Sequence, residues 1–195
     1  VMAGLTDKLG AYQVLREEKV GATMGTELIM NAIYATIISW LLIIAYVSYR
    51  FEFKFGISAV LGLAHNVIIV LGAFALTQRQ IDSSFVAALL TIIGYSINDT
   101  IVIFDRIREY LGLYPRMNFS DLINKATNST LPRTLNTSLS MLLVILIIFI
   151  FGGETIKGFM FTMMIGVVVG TYSSIFIASQ IMYDLTKKSE SKKVE

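Results

Sequence analysis

Five apolar segments, each long enough to cross a lipid bilayer, dominate this chain and limit the folds that it can adopt. Because about 20 apolar residues span roughly 30 Å of hydrocarbon as an α-helix, each segment predicts a transmembrane helix. The segments are apolar on nearly every face, unlike the helices of soluble proteins. The predicted helices cover residues 28–49, 56–77, 83–104, about 134–151 and 156–183. The sequence therefore predicts an all-α membrane protein with a lead-in at 1–27, a transmembrane domain at 28–185 and a charged tail at 186–195.

The composition supports this class and argues against several kinds of site. Only 15% of the 195 residues are charged, whereas soluble domains carry about 25%. The 16 basic and 14 acidic residues nearly balance, so the chain has no basic footprint for nucleic acid. It has no cysteine and one histidine, which excludes disulfides and thiolate metal sites and argues against any metal site. We expect no cofactor.

The basic residues are distributed unequally between the two ends of the predicted helices. Eleven of the sixteen fall on one side: Arg50, Lys54, Arg106, Arg108, Arg116, Lys125, Arg133, Lys187, Lys188, Lys192 and Lys193. Because basic loops stay in the cytoplasm, the positive-inside rule places the C-terminus in the cytoplasm and the N-terminal end outside.

The connections between the predicted helices differ in length. The 105–133 connection is long, and Ser120 is a plausible N-cap for a short surface helix within it. Pro132 then suits the first turn of the fourth helix. The Gly152-Gly153 pair predicts a tight turn between the last two helices. The charged residues 187–195 predict a disordered tail, with weak attraction to anionic lipid as the alternative.

Asp99 is the most unusual residue of the third helix, because a carboxylate at membrane depth costs about 2.5–3.5 kcal/mol. We predict that it lies about 9 Å inside the cytoplasmic end, at 1.5 Å per residue. Arg133 enters from the same side, and its long side chain could reach Asp99. The pair is then either a fixed contact between two helices or a proton relay. Burial favours the protonated carboxyl and a nearby guanidinium favours the carboxylate, so a motion that separates them could load a proton.

Other polar residues inside the predicted helices are candidates to support such a relay. They are Tyr95, Ser96 and Asn98 beside Asp99, Thr134, Thr137 and Ser138 at the start of the fourth helix, and His65 and Asn66 in the second. The first group could bond the carboxylate or hold water beside it. The second could line a hydrated pocket or only assist helix packing. A lone intramembrane histidine is either a packing residue or a titrating switch.

A small residue recurs at every fourth position of the fifth helix, at Gly166, Gly170, Ser174 and Ala178. Such a ridge allows two helices to approach closely. It predicts either plain helix packing or a surface that slides during a conformational change.

Residues 94–102 read Gly-Tyr-Ser-Ile-Asn-Asp-Thr-Ile-Val, and 104–109 read Phe-Asp-Arg-Ile-Arg-Glu. These stretches resemble the SecF family, the membrane subunits of the bacterial Sec protein-secretion machinery. The stretch Leu-Pro-Arg-Thr-Leu-Asn-Thr-Ser at 131–138 resembles the family's Arg-Thr element. Tyr-Arg-Phe-Glu at 49–52, Phe-Gly-Gly at 151–153 and Gly-Thr-Tyr-Ser-Ser at 170–174 also match, in the same order. The resemblance extends over about residues 20–185.

The resemblance implies a multi-pass protein of the bacterial cytoplasmic membrane with the fold of the RND superfamily. SecF-like proteins have six membrane helices, with a large extracytoplasmic domain after the first. This chain would supply the last five, residues 1–18 would end that domain, and the chain would be a fragment or the tail of a fused protein. Family members work with SecD, separate or fused, and use the proton-motive force to help export polypeptides through SecYEG. They are not enzymes, and protons are the coupling ion.

The resemblance also implies roles for individual residues. Asp99 matches the family's intramembrane aspartate, which is linked to proton transport, and Arg133 matches its functional companion. Asn66 stands where the family usually has an aspartate, so Asp99 is the only acidic residue left at membrane depth. Two other functions stay open, namely one half of an RND-like exporter of lipids or small molecules, and a passive scaffold subunit.

Overall fold

The fold is a bundle of long helices, described by a computed structural model for residues 22–194, with side chains described for 25–187. The helices are α1 (Ala22–Arg50), α2 (Phe53–Thr77), α3 (Ser83–Leu113), α4 (Phe119–Phe151), α5 (Glu154–Tyr172) and α6 (Ser179–Val194). A π-helical turn, Ser173–Ala178, joins α5 and α6 without interrupting the helical path. The predicted lead-in and the predicted end of an extracytoplasmic domain lie outside the described residues, except for the first turns of α1.

Within this part of the chain, five helical segments are long and apolar enough to cross a membrane. They are Gly25–Arg50, Phe53–Thr77, Ser83–Leu113, Phe119–Phe151 and Glu154–Lys187. The predicted all-α bundle of five transmembrane helices is therefore confirmed. Several helices are longer than predicted, because their polar ends continue the helix beyond the apolar run.

The start of α4 corrects one prediction. The short surface helix and the fourth membrane helix form one helix, Phe119–Phe151, with Pro132 inside it. Asn118 is its N-cap residue, and Ser120 lies in its first turn. Pro132 removes one backbone donor, which membrane helices tolerate when neighbours compensate. Packing preserves the helix, because its buried residues recur with helical spacing on both sides of the proline: Leu122, Ile123, Ala126, Thr127, Thr130, Thr134 and Ser138.

Local interactions define two of the turns. The Asp82 carboxylate accepts a hydrogen bond of 2.9 Å from the Phe85 N–H and so caps the start of α3. Gly152 and Gly153 separate α4 from α5, as predicted. A Cβ on Gly152 would overlap the Ile148 carbonyl oxygen, so this turn leaves no room for a side chain.

Helix α3 lies at the centre of the bundle and packs most closely against α5, then α4 and α2. Helix α1 packs mainly against α2. Three rings close the bundle where α1 meets α2, with ring centroids 5.0 Å apart for Phe55 and Phe104 and 5.7 Å apart for Phe51 and Phe55. Phe104 is fully buried there. This end of α3 is thereby fixed to the α1–α2 hairpin.

The C-terminal region also differs from its prediction. Helical backbone continues to Val194, where the charged composition predicts disorder. No glycine or proline interrupts residues 179–194, so the last membrane helix continues into its polar end.

Candidate functional site

Asp99 and Arg133 lie at the same height in the bundle. Asp99 is 14 residues before the end of α3 at Leu113, and Arg133 is 14 residues after the start of α4 at Phe119. Because these two helix ends are joined by a short turn and the helices pack together, equal distances from the turn place the two side chains opposite each other. Asp99 is only 5% exposed, whereas Arg133 is exposed at the surface of the described part of the chain.

The Asp99 carboxylate interacts with two groups of α4, namely the Ser138 hydroxyl and the positive charge of Arg133. The phenol of Tyr95, one turn before Asp99, interacts with Ser138 and Thr137. Among the ion pairs of the described residues, none joins an Asp99 carboxylate oxygen to an Arg133 nitrogen within 4.0 Å. The guanidinium therefore acts on the carboxylate through its charge without a fixed contact.

A polar stripe on α4 continues outward from this site. Arg133, Asn136, Thr137 and Ser140 are all exposed and recur at helical spacing. Asn98 is likewise exposed on the neighbouring face of α3. Polar groups of this kind are costly against lipid. In a membrane, this face of α3 and α4 therefore needs a polar or protein neighbour.

Ser96 of α3 and Thr134 of α4 are both buried. Ser96 accepts a hydrogen bond of 2.9 Å from Asn66 Nδ2 on α2. Its hydroxyl therefore contacts α2, although residues three apart on a helix, such as Ser96 and Asp99, lie on neighbouring faces. Thr134 is buried on α4, and its hydroxyl has no hydrogen-bond partner among the described residues.

The contacts around Ser96 form a second polar cluster that the sequence prediction missed. The hydroxyls of Thr100 and Ser174 lie 2.8 Å apart, and Ser174 also donates to the Ser96 carbonyl oxygen at 3.3 Å. Ser173 donates to the Gly62 carbonyl oxygen at 3.0 Å. These side chains look ordinary in an apolar sequence, and only their helical register brings them together. The cluster joins α2, α3 and the π-helical turn.

His65 is not part of the Asp99 site. Its ring lies 6.4 Å from that of Tyr172, and its Nδ1 atom has no hydrogen-bond partner in the described part of the chain. Within that part, no group of three or more His, Cys, Asp or Glu side chains could hold a metal ion.

The small-residue ridge of the last helix packs along α3 and then changes partner. A Cβ on Gly166 would overlap Ile92, and one on Gly170 would lie 3.0 Å from Ser96 Oγ. At the last residue of the π-helical turn, Ala178 instead meets Gly62 of α2, with 3.3 Å from its Cβ to a Cβ built on that glycine. A π-helical turn contains more residues than an α-turn, so it rotates the ridge onto a different neighbour.

Comparison with known proteins identifies the family. Residues 2–188 match the family described as "Protein export membrane protein SecD/SecF, C-terminal". The chain is 42% identical over 187 residues to the protein translocase subunit SecF of Rhodothermus marinus, covering 93% of this chain and 61% of that protein. It is 41% identical over 199 residues to SecF of Sebaldella termitidis, covering all of this chain and 64% of that protein.

Solved structures agree. The SecDF crystal structure from Thermus thermophilus, described as a translocon-associated membrane protein, matches 95% of this chain with 40% identity and a TM-score of 0.87. SecDF in its super-membrane-facing form matches 99% with 35% identity and a TM-score of 0.84. The chain spans about three fifths of the curated relatives, from 61% to 64%, and 26% of the SecDF chains. The chain belongs to the SecD/SecF family of protein export membrane proteins.

Proposed function

We propose that this chain is the C-terminal membrane part of a SecF-like subunit that uses proton movement to assist protein export. One observation carries this proposal: a buried carboxylate at membrane depth, Asp99, faces a guanidinium on the adjoining helix without being fixed to it. A fixed ion pair would hold the carboxylate ionised, and a carboxylate alone would stay protonated. A carboxylate that lies near a guanidinium without a fixed ion pair is suited to change its protonation state during a cycle.

The cycle follows from the charges of the site. When Asp99 is ionised, its attraction for Arg133 draws α3 and α4 together at the level of the site. When Asp99 takes up a proton, this attraction is lost and the polar face of α4 is free to move. A proton that enters from one side of the membrane and leaves to the other would thus alternate two arrangements of the bundle.

A second transmembrane unit completes the site in this proposal. The stripe of Arg133, Asn136, Thr137 and Ser140 is exposed in the chain, although such groups are costly against lipid. The solved structures that the chain matches are named SecDF, and the chain covers 26% of each of them. We therefore propose that a SecD partner, separate or fused, covers this face, and that the pair works with the SecYEG channel on secreted polypeptides.

The location of the protein follows from the same family and from its charges. We place the chain in the bacterial cytoplasmic membrane, with the C-terminus in the cytoplasm, because eleven of its sixteen basic residues lie on that side of the spans. On this proposal the subunit catalyses no covalent reaction, and the proton is its coupling ion.

The test uses full-length protein with its SecD partner and the translocon in vesicles, and measures export with and without an imposed pH gradient. We expect Asp99→Asn to abolish the stimulation by the gradient and to leave the complex assembled, as measured by co-purification. The matched control is Asp105→Asn, the same change on the same helix at a half-exposed site, 4.0 Å from Arg50. It should keep the stimulation. The proposal is wrong if the pH gradient stimulates export by the Asp99→Asn variant as much as it stimulates export by the parent.

A further inference from the structure

Thr171, near the end of α5, has two hydrogen-bond partners to which it cannot donate at the same time. Its Oγ1 atom lies 2.6 Å from Ser138 Oγ on α4 and 2.8 Å from the Val167 carbonyl oxygen on its own helix. Both partners accept hydrogen bonds, and a threonine hydroxyl carries one hydrogen. The hydroxyl therefore donates either to Ser138 or to Val167.

Ser138 connects this choice to Asp99. Its residue is 8% exposed, and its hydroxyl interacts with the Asp99 carboxylate, which is 5% exposed. The three groups, Asp99, Ser138 and Thr171, thus form a chain of polar atoms across α3, α4 and α5. Asp99 and Ser138 are buried and Thr171 is partly buried, so the hydrogen bonds of the first two must be satisfied mainly within the protein.

The direction of the hydrogen bonds in this chain depends on whether Asp99 carries a proton. An ionised carboxylate only accepts, so Ser138 donates to Asp99 and Thr171 donates to Ser138. A protonated Asp99 donates to Ser138, Ser138 then donates to Thr171, and Thr171 donates to the Val167 carbonyl oxygen. Each state satisfies every hydroxyl once, and the two states differ only in the orientation of the hydrogens.

We propose that Thr171 is a positioning residue that orients Ser138 toward Asp99 and transmits the protonation state of Asp99 to the backbone of α5. The inference rests on the proposed function of Asp99. The proton that Asp99 gains or releases does not pass along the Ser138 and Thr171 hydroxyls. These hydroxyls only rotate. The consequence reaches Val167, whose carbonyl gains or loses a side-chain hydrogen bond just before the π-helical turn that begins at Ser173.

Two other groups act on the same carboxylate and are part of the argument. Arg133 acts on Asp99 through its charge, and Tyr95 interacts with both Asp99 and Ser138. The Arg133 guanidinium has no hydrogen-bond acceptor, so it cannot accept from Ser138. The Tyr95 hydroxyl can donate to Ser138 when Asp99 does not. Neither group replaces Thr171, because neither connects Ser138 to α5.

Infrared difference spectroscopy on the full-length protein in vesicles tests the proposal. Spectra at acid minus alkaline pH contain a carboxyl C=O band that Asp99→Asn removes, and this band reports the hydrogen bond of protonated Asp99. We expect Thr171→Val to shift this band although it does not touch Asp99, and Thr171→Ser to restore the position seen in the parent. The control is Thr162→Val on the same helix, whose hydroxyl bonds only the Gly158 carbonyl oxygen, at 2.8 Å. It should leave the band unchanged.

A second variant guards against a merely structural effect. In a Ser138→Ala background, the connection is already broken, so Thr171→Val should cause no further shift. The proposal is overturned if Thr171→Val leaves the band in place, if Thr162→Val shifts it equally, if the shift persists without Ser138, or if Asp99 contributes no band at any pH. Export measured separately on Asp99→Asn distinguishes the two proposals, because gradient-stimulated export can survive or fail while the band still responds to Thr171.

Discussion

Replacement of Gly166 by alanine tests how closely α5 approaches α3. A Cβ at this position would overlap three side-chain atoms of Ile92. Ile92 is 1% exposed and packs in a buried cluster with Ile145 and Met163, so it has no free space to move into. The added methyl group must therefore separate the two helices or force Ile92 into a strained rotamer.

The magnitude follows from two opposing effects. Glycine to alanine inside a helix stabilises by about 0.8–1 kcal/mol through helix propensity. Overpacking of a buried contact costs about 1–3 kcal/mol. Gly158 provides the matched control on the same helix, because a Cβ there meets nothing within 4 Å. We expect Gly158→Ala to be stabilising and Gly166→Ala to be less stable than this control by about 1–3 kcal/mol.

Thermal unfolding of the purified full-length protein in detergent, followed by circular dichroism, measures this difference. A double variant, Gly166→Ala with Ile92→Ala, should recover part of the loss, because the smaller side chain accommodates the new methyl group. Equal Tm values for Gly166→Ala and Gly158→Ala, or no coupling with Ile92, would refute the close contact.

Two further predictions concern the same stability measurement. Asn66→Leu removes the buried hydrogen bond to Ser96 and should destabilise by about 0.6 kcal/mol, at most about 1.7; an increase in Tm would show that the bond contributes nothing. Phe104→Ala empties a fully buried site beside Phe55 and should cost about 3–5 kcal/mol. The control Phe53→Ala lies at a residue 63% exposed, and equal losses in both variants would contradict the burial.

The sequence predicts the five spans well, because they depend on local information. Apolar runs of bilayer length have one common outcome, a transmembrane helix. The expectation that Asp99 and Arg133 lie near each other uses local information too, because both lie near the same end of their helices and helical rise converts residue number into height. Neither prediction requires knowledge of which helix packs against which.

The continuous α4 and the contact between Thr171 and Ser138 could not be predicted in this way. Proline and a possible cap suggest a break, yet packing of residues on one face of α4 maintains the helix through Pro132. Thr171 follows Gly170 in a run of small residues, and nothing in the sequence indicates that its hydroxyl meets Ser138. That contact depends on the rotation of α5 about its axis, which tertiary packing determines.

The π-helical turn has a mechanical consequence for the bundle. Before the turn, Gly166 and Gly170 hold the last membrane segment against α3, and at the end of the turn Ala178 holds the same segment against Gly62 of α2. One continuous rod is thus attached to two neighbours at two different heights. A change in the crossing angle between α2 and α3 would therefore require this rod to twist, and Ser173–Ala178 are the residues whose twist already departs from the α-helix. We expect this turn to take up such a twist.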